Sequence, residues 1–206
     1  TGSNLAFTLG SVLTGALSRR TAGAGELMRK VGEDAIDGAR GNSGAILAQF
    51  FCGVAESING LAAIEPEYFA RAVRAGSLSA RQALADPREG TILSVISAFA
   101  NSLEPRPQVT DVRGWFGAAL VQARRALAHT PQQLPVLMRA GVVDAGAQGF
   151  LDLLEGIGEF MDNGNAVAGK AQAEGHADLE AAEVHGEIFD ADPLHRRGGR
   201  GRLGGL

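Results

Sequence analysis

At 206 residues the chain is long enough for one substantial core with a tail, and its single cysteine excludes a disulfide framework or a cysteine-based metal site within one chain. A formal net charge of −4 gives no overall pull toward nucleic acid or an anionic membrane, and no apolar stretch reaches the roughly 18 residues of a membrane span. Aromatics are only 5% of the residues while glycine occurs 29 times, which suits helices packed closely through small side chains better than a β-sandwich.

The apolar residues then recur with helical period along the chain. Gly2-Ser3-Asn4 opens onto an apolar segment from Leu5 to Leu17. Leu27, Met28, Val31 and Ala35 mark a second stripe, after Gly23 and Gly25. Ile46, Leu47, Phe50, Phe51 and Val54 form a third, and Phe69 and Val73 begin a fourth after Glu65-Pro66-Glu67, where proline and acids suit a first turn. A fifth helix is predicted from Ile92 to Leu103. Trp115, Ala119, Leu120, Ala123 and Leu127 line a sixth, with Thr110 and Asp111 as caps. A short helix from Leu134 to Ala140 follows, entered through a Thr130 N-cap with Pro131 at the first helical position. Phe150, Leu151, Leu154, Ile157, Phe160 and Met161 close the series. No segment alternates as a strand would, so the expected class is all-α, a bundle or barrel of about eight antiparallel amphipathic helices.

From Asn163 onward glycine interrupts an Ala-rich polar stretch, and Arg196 to Leu206 is Gly/Arg low complexity that cannot bury a core. The expected division is therefore a helical domain over 1–162 and a polar linker or disordered tail over 163–206. The chain opens on Thr1 rather than Met, inside what reads as a motif, and is expected to be a fragment. Cys52 follows Phe50-Phe51 on an apolar helix and is expected to be a buried structural thiol. His129, His176, His185 and His195 are scattered without metal-ligand spacing.

The junctions between helices carry the chemistry. Gly38-Ala39-Arg40-Gly41-Asn42-Ser43-Gly44 runs straight into Ala45-Ile46-Leu47. A helix start leaves backbone N–H groups unpaired beside the positive end of the macrodipole, glycine permits close approach, and Ser43 adds a hydroxyl. Three other helices open in the same style, at Gly2-Ser3-Asn4, Glu89-Gly90-Thr91 and Asp144-Ala145-Gly146. Each alone is explained by an ordinary N-cap, Asn or Ser at the glycine-rich loop. Together, converging at one end of a bundle, they would make a ring of donors suited to a polyphosphate. Ser43 is assigned to ligand contact rather than packing, and Asp34 and Asp37, beside the loop, to a solvated helix face.

The blocks G-A-R-G-N-S-G-A-I-L-A-Q-F-F, E-G-T-I-L-S-V, T-P-Q-Q-L-P-V-L and A-G-V-V-D-A-G-A-Q-G resemble the nucleotide-binding domain of the bacterial fatty acid kinase A family, related to the L subunit of dihydroxyacetone kinase (DhaL). The resemblance covers Thr1 to about Met161. It implies a helical barrel with ATP at one rim. Thr1, Gly2, Ser3 and Asn4 match the end of the family's D-G-D-T-G-T-N phosphate segment. Asn42, Ser43 and Gly44 match the loop along the phosphates, Thr91 a nucleotide-contacting turn, and Asp144, Ala145 and Gly146 a D-x-G element near the nucleotide.

The family's magnesium-holding aspartates lie immediately before the T-G-x-N element, upstream of Thr1, so no metal ligand is assigned here and the chain as given is expected to be inactive. The single cysteine is consistent with a cytoplasmic setting, and what the resemblance implies is an ATP- and Mg2+-dependent kinase domain. It phosphorylates a fatty acid presented by an acyl-carrying, fatty-acid-binding partner protein, without nucleic acid or a membrane span, and a homodimer is compatible with it. The alternatives are a dihydroxyacetone (glycerone) kinase-like activity on a small ketose, or a non-catalytic nucleotide-binding interaction module.

Overall fold

The apolar stripes fold as helices. The computed structural model describes residues 2–17, 21–106 and 108–163, and among them are eight α-helices and no strand. They are α1 (Gly2–Leu17), α2 (Ala24–Asp37), α3 (Gly41–Ser57), α4 (Pro66–Gln82), α5 (Ile92–Ser102), α6 (Val112–Gln133), α7 (Pro135–Ala140) and α8 (Ala145–Asn163). All the described residues fall in one unit. Thr1, the Gly/Arg end, and His176, His185 and His195 lie outside the described residues; His129 is exposed on α6.

Successive helices pack on one another from α1 to α6, and α8 packs against α6, α5 and α1, so the chain returns to where it started. The shared core joins Leu47, Phe50, Val54, Ile96, Phe99, Phe116, Phe150 and Leu154. Edge-on aromatic contacts tie its parts together: Phe50 to Phe150 across 5.4 Å, and Phe99 to Phe116 across 5.3 Å. Small residues set the closest approach. A Cβ on Gly76 would stand 2.6 Å from the Phe50 carbonyl oxygen, and one on Gly53 would stand 2.9 Å from the Ala75 carbonyl oxygen, so α3 and α4 meet backbone to backbone.

Two caps act as the sequence suggests. Asp111 accepts the Gly114 N–H at 2.8 Å at the start of α6, and Pro66 occupies the first turn of α4. Other expectations are corrected. Thr130 is not an N-cap: α6 continues through it to Gln133, and Pro131 sits inside the helix. Pro131 has no N–H to give the Leu127 carbonyl four residues back, and the Thr130 hydroxyl bonds that carbonyl instead, at 2.8 Å. The short helix α7 starts at Pro135.

Asp34 is not on a solvated face. It is buried between α2 and α1, where a Cβ on Gly15 would overlap its carboxylate, whereas Asp37 is exposed as expected. On α2 the buried residues are Gly25, Gly32, Asp34 and Ala35, while Leu27 reaches the surface, because this helix packs through its small residues. On α8 the stripe is buried only as far as Leu154; Ile157 and Phe160 are exposed. Cys52 is half-buried rather than buried. It lies beside Gly32 in a groove of about 220 Å³ that Ile36, Ala55, Glu33 and Glu56 also line. Burial, then the nearby Glu56 and Glu33 carboxylates, push its thiol pKa up, which disfavours a nucleophilic thiolate.

Candidate functional site: a rim of helix N-termini

The path of the chain brings the starts of α1, α3, α5 and α8 together. Gly41 has φ +56°, a left-handed backbone that favours glycine, and a Cβ there would stand 2.4 Å from the Asn4 side-chain nitrogen. The start of α3 thus lies directly on the start of α1. One turn further, a Cβ on Gly44 would meet the Thr8 hydroxyl at 2.7 Å, and the buried Thr8 donates to the Asn4 and Gly38 carbonyls at 3.0 and 3.3 Å. On the other side of α3, a Cβ on Gly146 would stand 2.6 Å from Ser43 Oγ and 3.2 Å from Asp144 Oδ1. Here α3 meets α8 through a contact that only glycine allows.

Asp144 joins α8 to α5. Its carboxylate accepts the Ala147 N–H at 2.8 Å, and the nearby N–H groups of Gly146, in the first turn of α8, and of Ile92, the first residue of α5, favour its charge. Its own N–H donates to the buried Thr130 hydroxyl at 3.1 Å, which fixes it against the end of α6. Burial raises its pKa, and the Ala147, Ile92 and Gly146 N–H groups pull it back down in part.

The starts of these helices are not finished alike. Thr91 caps α5, accepting the Leu93 N–H at 3.4 Å and donating to the Arg88 carbonyl at 2.8 Å. Asp144 caps α8. At α3 the N-cap is Arg40, not Asn42 or Ser43, and it makes no side-chain cap hydrogen bond. The first turn of α3 therefore has no side-chain cap to offset the positive end of its dipole. Gly2 and Ser3 are exposed on the first turn of α1, and Asn4 is half-buried against Gly41. Asn42 and Ala145 are exposed, while Ser43, Gly44 and Gly146 are buried. Ser43 consequently packs against α8 as well as facing the rim, so a pure contact role does not describe it.

The structure adds residues that the sequence reading passed over. Arg40, the N-cap of α3, donates its guanidinium to the Ala39 and Asp37 carbonyls at 2.8 and 3.4 Å, at the end of α2. Glu89 accepts from the Ser94 hydroxyl at 2.5 Å and is bonded by Arg81, while Ser94 accepts the Gly90 N–H at 2.9 Å. That network holds the α5 entry. Arg40 was visible in R-G-N-S-G; the Glu89–Ser94 pairing has no signal beyond a polar residue five positions on.

The DAK2 domain pattern matches residues 1–159. The chain belongs to the DAK2 domain family. The match spans the four N-termini just described, so the rim is part of the DAK2 domain itself. The chain is 34% identical to Protein YloV of Bacillus subtilis over 186 residues, 90% of this chain and 34% of that protein. An uncharacterized protein of Staphylococcus saprophyticus is 31% identical over 198 residues, 95% of this chain and 36% of that one. One from Staphylococcus aureus is 34% identical over 157 residues, 76% of this chain and 29% of that one. The chain thus spans about a third of the length of these curated relatives.

The rim and the acidic residues differ in what they could hold. Phosphate suits the rim, where helix N-termini converge and α3 lacks a side-chain cap. Magnesium does not suit the described residues alone: among them no group of three or more His, Cys, Asp or Glu could hold a metal ion. Asp144 already spends its carboxylate on backbone N–H groups. No helix among the described residues is long and apolar enough to cross a membrane.

Proposed function

We propose that this chain is the nucleotide-binding part of an ATP-dependent kinase of the dihydroxyacetone-kinase type. The observation that carries the reading is the convergence of the α1, α3, α5 and α8 starts around Ser43 and Gly146, with α3 left without a side-chain cap. The polyphosphate lies against α3, where the N–H groups of Gly41, Asn42 and Ser43, the Ser43 hydroxyl and the Arg40 cation supply donors and charge. Gly2, Ser3 and Asn4 close one flank, and Thr91, Ala145 and Gly146 the other. Magnesium, which neutralises charge developing on the transferred phosphoryl group, is supplied with carboxylates from outside the described residues. The R-G-N-S-G and V-V-D-A-G-A-Q-G blocks favour a fatty acyl carboxylate, presented by an acyl-carrying partner, as acceptor over a small ketose.

Asn42→Asp tests the rim. Asn42 is exposed in the first turn of α3, so a carboxylate there complements the dipole and raises the stability of the unliganded protein by about 0.3–1 kcal/mol. The same charge repels phosphate. The expected result is an unfolding midpoint raised by about 1–4 °C and ATP binding weakened at least about tenfold in calorimetry. Unchanged ATP affinity in the variant would remove α3 from the site.

A further inference from the structure

Asp144 sits where a phosphate-binding rim would be expected to keep negative charge out. Its carboxylate accepts the Ala147 N–H in the first turn of α8, and the N–H groups of Gly146 and of Ile92, the first residue of α5, lie close enough to favour its charge. Those are the donors that an anion arriving at the rim would otherwise use. The adjacent residues sharpen the point: Oδ1 and Ser43 Oγ both lie close to the Cβ position of Gly146, at 3.2 and 2.6 Å. The built-in anion therefore stands beside the start of α3, which, like α2, α4 and α7, has no side-chain cap.

A cap alone did not require a carboxylate. Serine, threonine or asparagine finish a helix start about as well, and Thr91 does so at α5. An acid here adds a full charge to a half-buried position, and burial works against that charge. The backbone N–H of Asp144, held by Thr130, fixes the residue independently of the carboxylate.

We infer that Asp144 is a positioning and specificity residue that caps α8 and sets a negative charge beside the starts of α5 and α3, so that nucleotide phosphate is confined to α3 and held less tightly than it would be beside a neutral cap. The inference rests on the nucleotide reading given above. Its consequence is a rim whose hold on charge is limited, which favours release of a phosphorylated product. Neutralising Asp144 strengthens phosphate binding, where loss of a merely structural cap weakens it.

The test compares wild type with Asp144→Asn and Asp144→Ser, both neutral caps, in calorimetric titrations with adenosine, AMP and ADP in the presence of a metal chelator. Circular dichroism confirms that each variant is folded, and two variants guard against one failing. The expected result is ADP bound about three- to tenfold more tightly by the variants, AMP less affected, and adenosine unchanged. A gain that grows with phosphate charge is an electrostatic signature that a packing change does not give. Equal shifts for all three ligands, weaker ADP binding, or no change in ADP binding would overturn the role assigned to Asp144 while leaving the nucleotide site in place. Adenosine, AMP and ADP all failing to bind wild type and variants alike would overturn the nucleotide reading, and this inference with it.

Discussion

Ser43 has two duties, and they can be separated by the size of the replacement. It is 8% exposed and packs against the site of a Cβ that Gly146 does not have. Ser43→Leu would drive a branched side chain into α8 and lower the unfolding midpoint, so loss of ATP binding in that variant would not isolate the hydroxyl. Ser43→Ala keeps the packing and removes only the donor. It is expected to weaken ATP binding by about ten- to 150-fold, the scale of one hydrogen bond to a charged group, with the melting curve close to wild type. Glu89 makes a different residue-scale prediction. The Ser94 hydroxyl, then Arg81, hold its pKa below the ordinary 4.5. Its folded pKa is therefore below its unfolded one, and its contribution is present above about pH 4.5 and lost as pH falls through the folded value. Most of Glu89 faces solvent, so the effect is small. Denaturant titrations at about pH 6 and pH 3 should show a smaller acid-induced loss in Glu89→Gln than in wild type; identical losses would remove Glu89 from the α5 entry.

At the scale of elements, the junction of α6 with α8 depends on one hydroxyl. Thr130 bonds the Leu127 carbonyl that Pro131 leaves without a helical partner, and it accepts the Asp144 N–H. Thr130→Val keeps the shape and strands both groups, an expected cost of about 1–3 kcal/mol readable by urea denaturation. A neutral result would mean that water replaces the hydroxyl. The long helices were legible because their stripes are continuous, as in Ile46 to Val54, and because Asp111 and Pro66 are strong start signals. What was not legible depended on a partner from elsewhere in the chain. Thr130-Pro131 reads locally as a cap followed by a first helical residue; only the carbonyl of Leu127 and the distant Asp144 N–H make it an interior pair. Asp34 reads as a solvated acid until α1 brings Gly15 against it. Gly32 and Gly53 carry no hydropathy signal, yet they decide which faces of α2 and α3 approach their neighbours.

At the scale of the whole described unit, the four glycine–polar junctions identified in the sequence come together because the intervening helices carry the chain back each time. The start of α2 illustrates the return: its Ala24 and Gly25 N–H groups bond the Ala62 and Leu61 carbonyls in the segment beyond the C-terminus of α3, at 3.0 and 2.9 Å. The sequence shows the junctions but not their order around a rim. That order, with Ser43 and Gly146 in contact and Asp144 bridging α8 to α5, came from tertiary packing. The central claim is that nucleotide phosphate binds at this rim. The most direct measurement is an amide chemical-shift titration of the isotopically labelled protein with ATP. The account predicts the largest saturable shifts at Asn4, Gly41, Asn42, Ser43, Gly44, Ala145 and Gly146, with the groove around Cys52 unmoved. Shifts concentrated around Cys52, Gly32 and Asn59, with the α3 start silent, would contradict it.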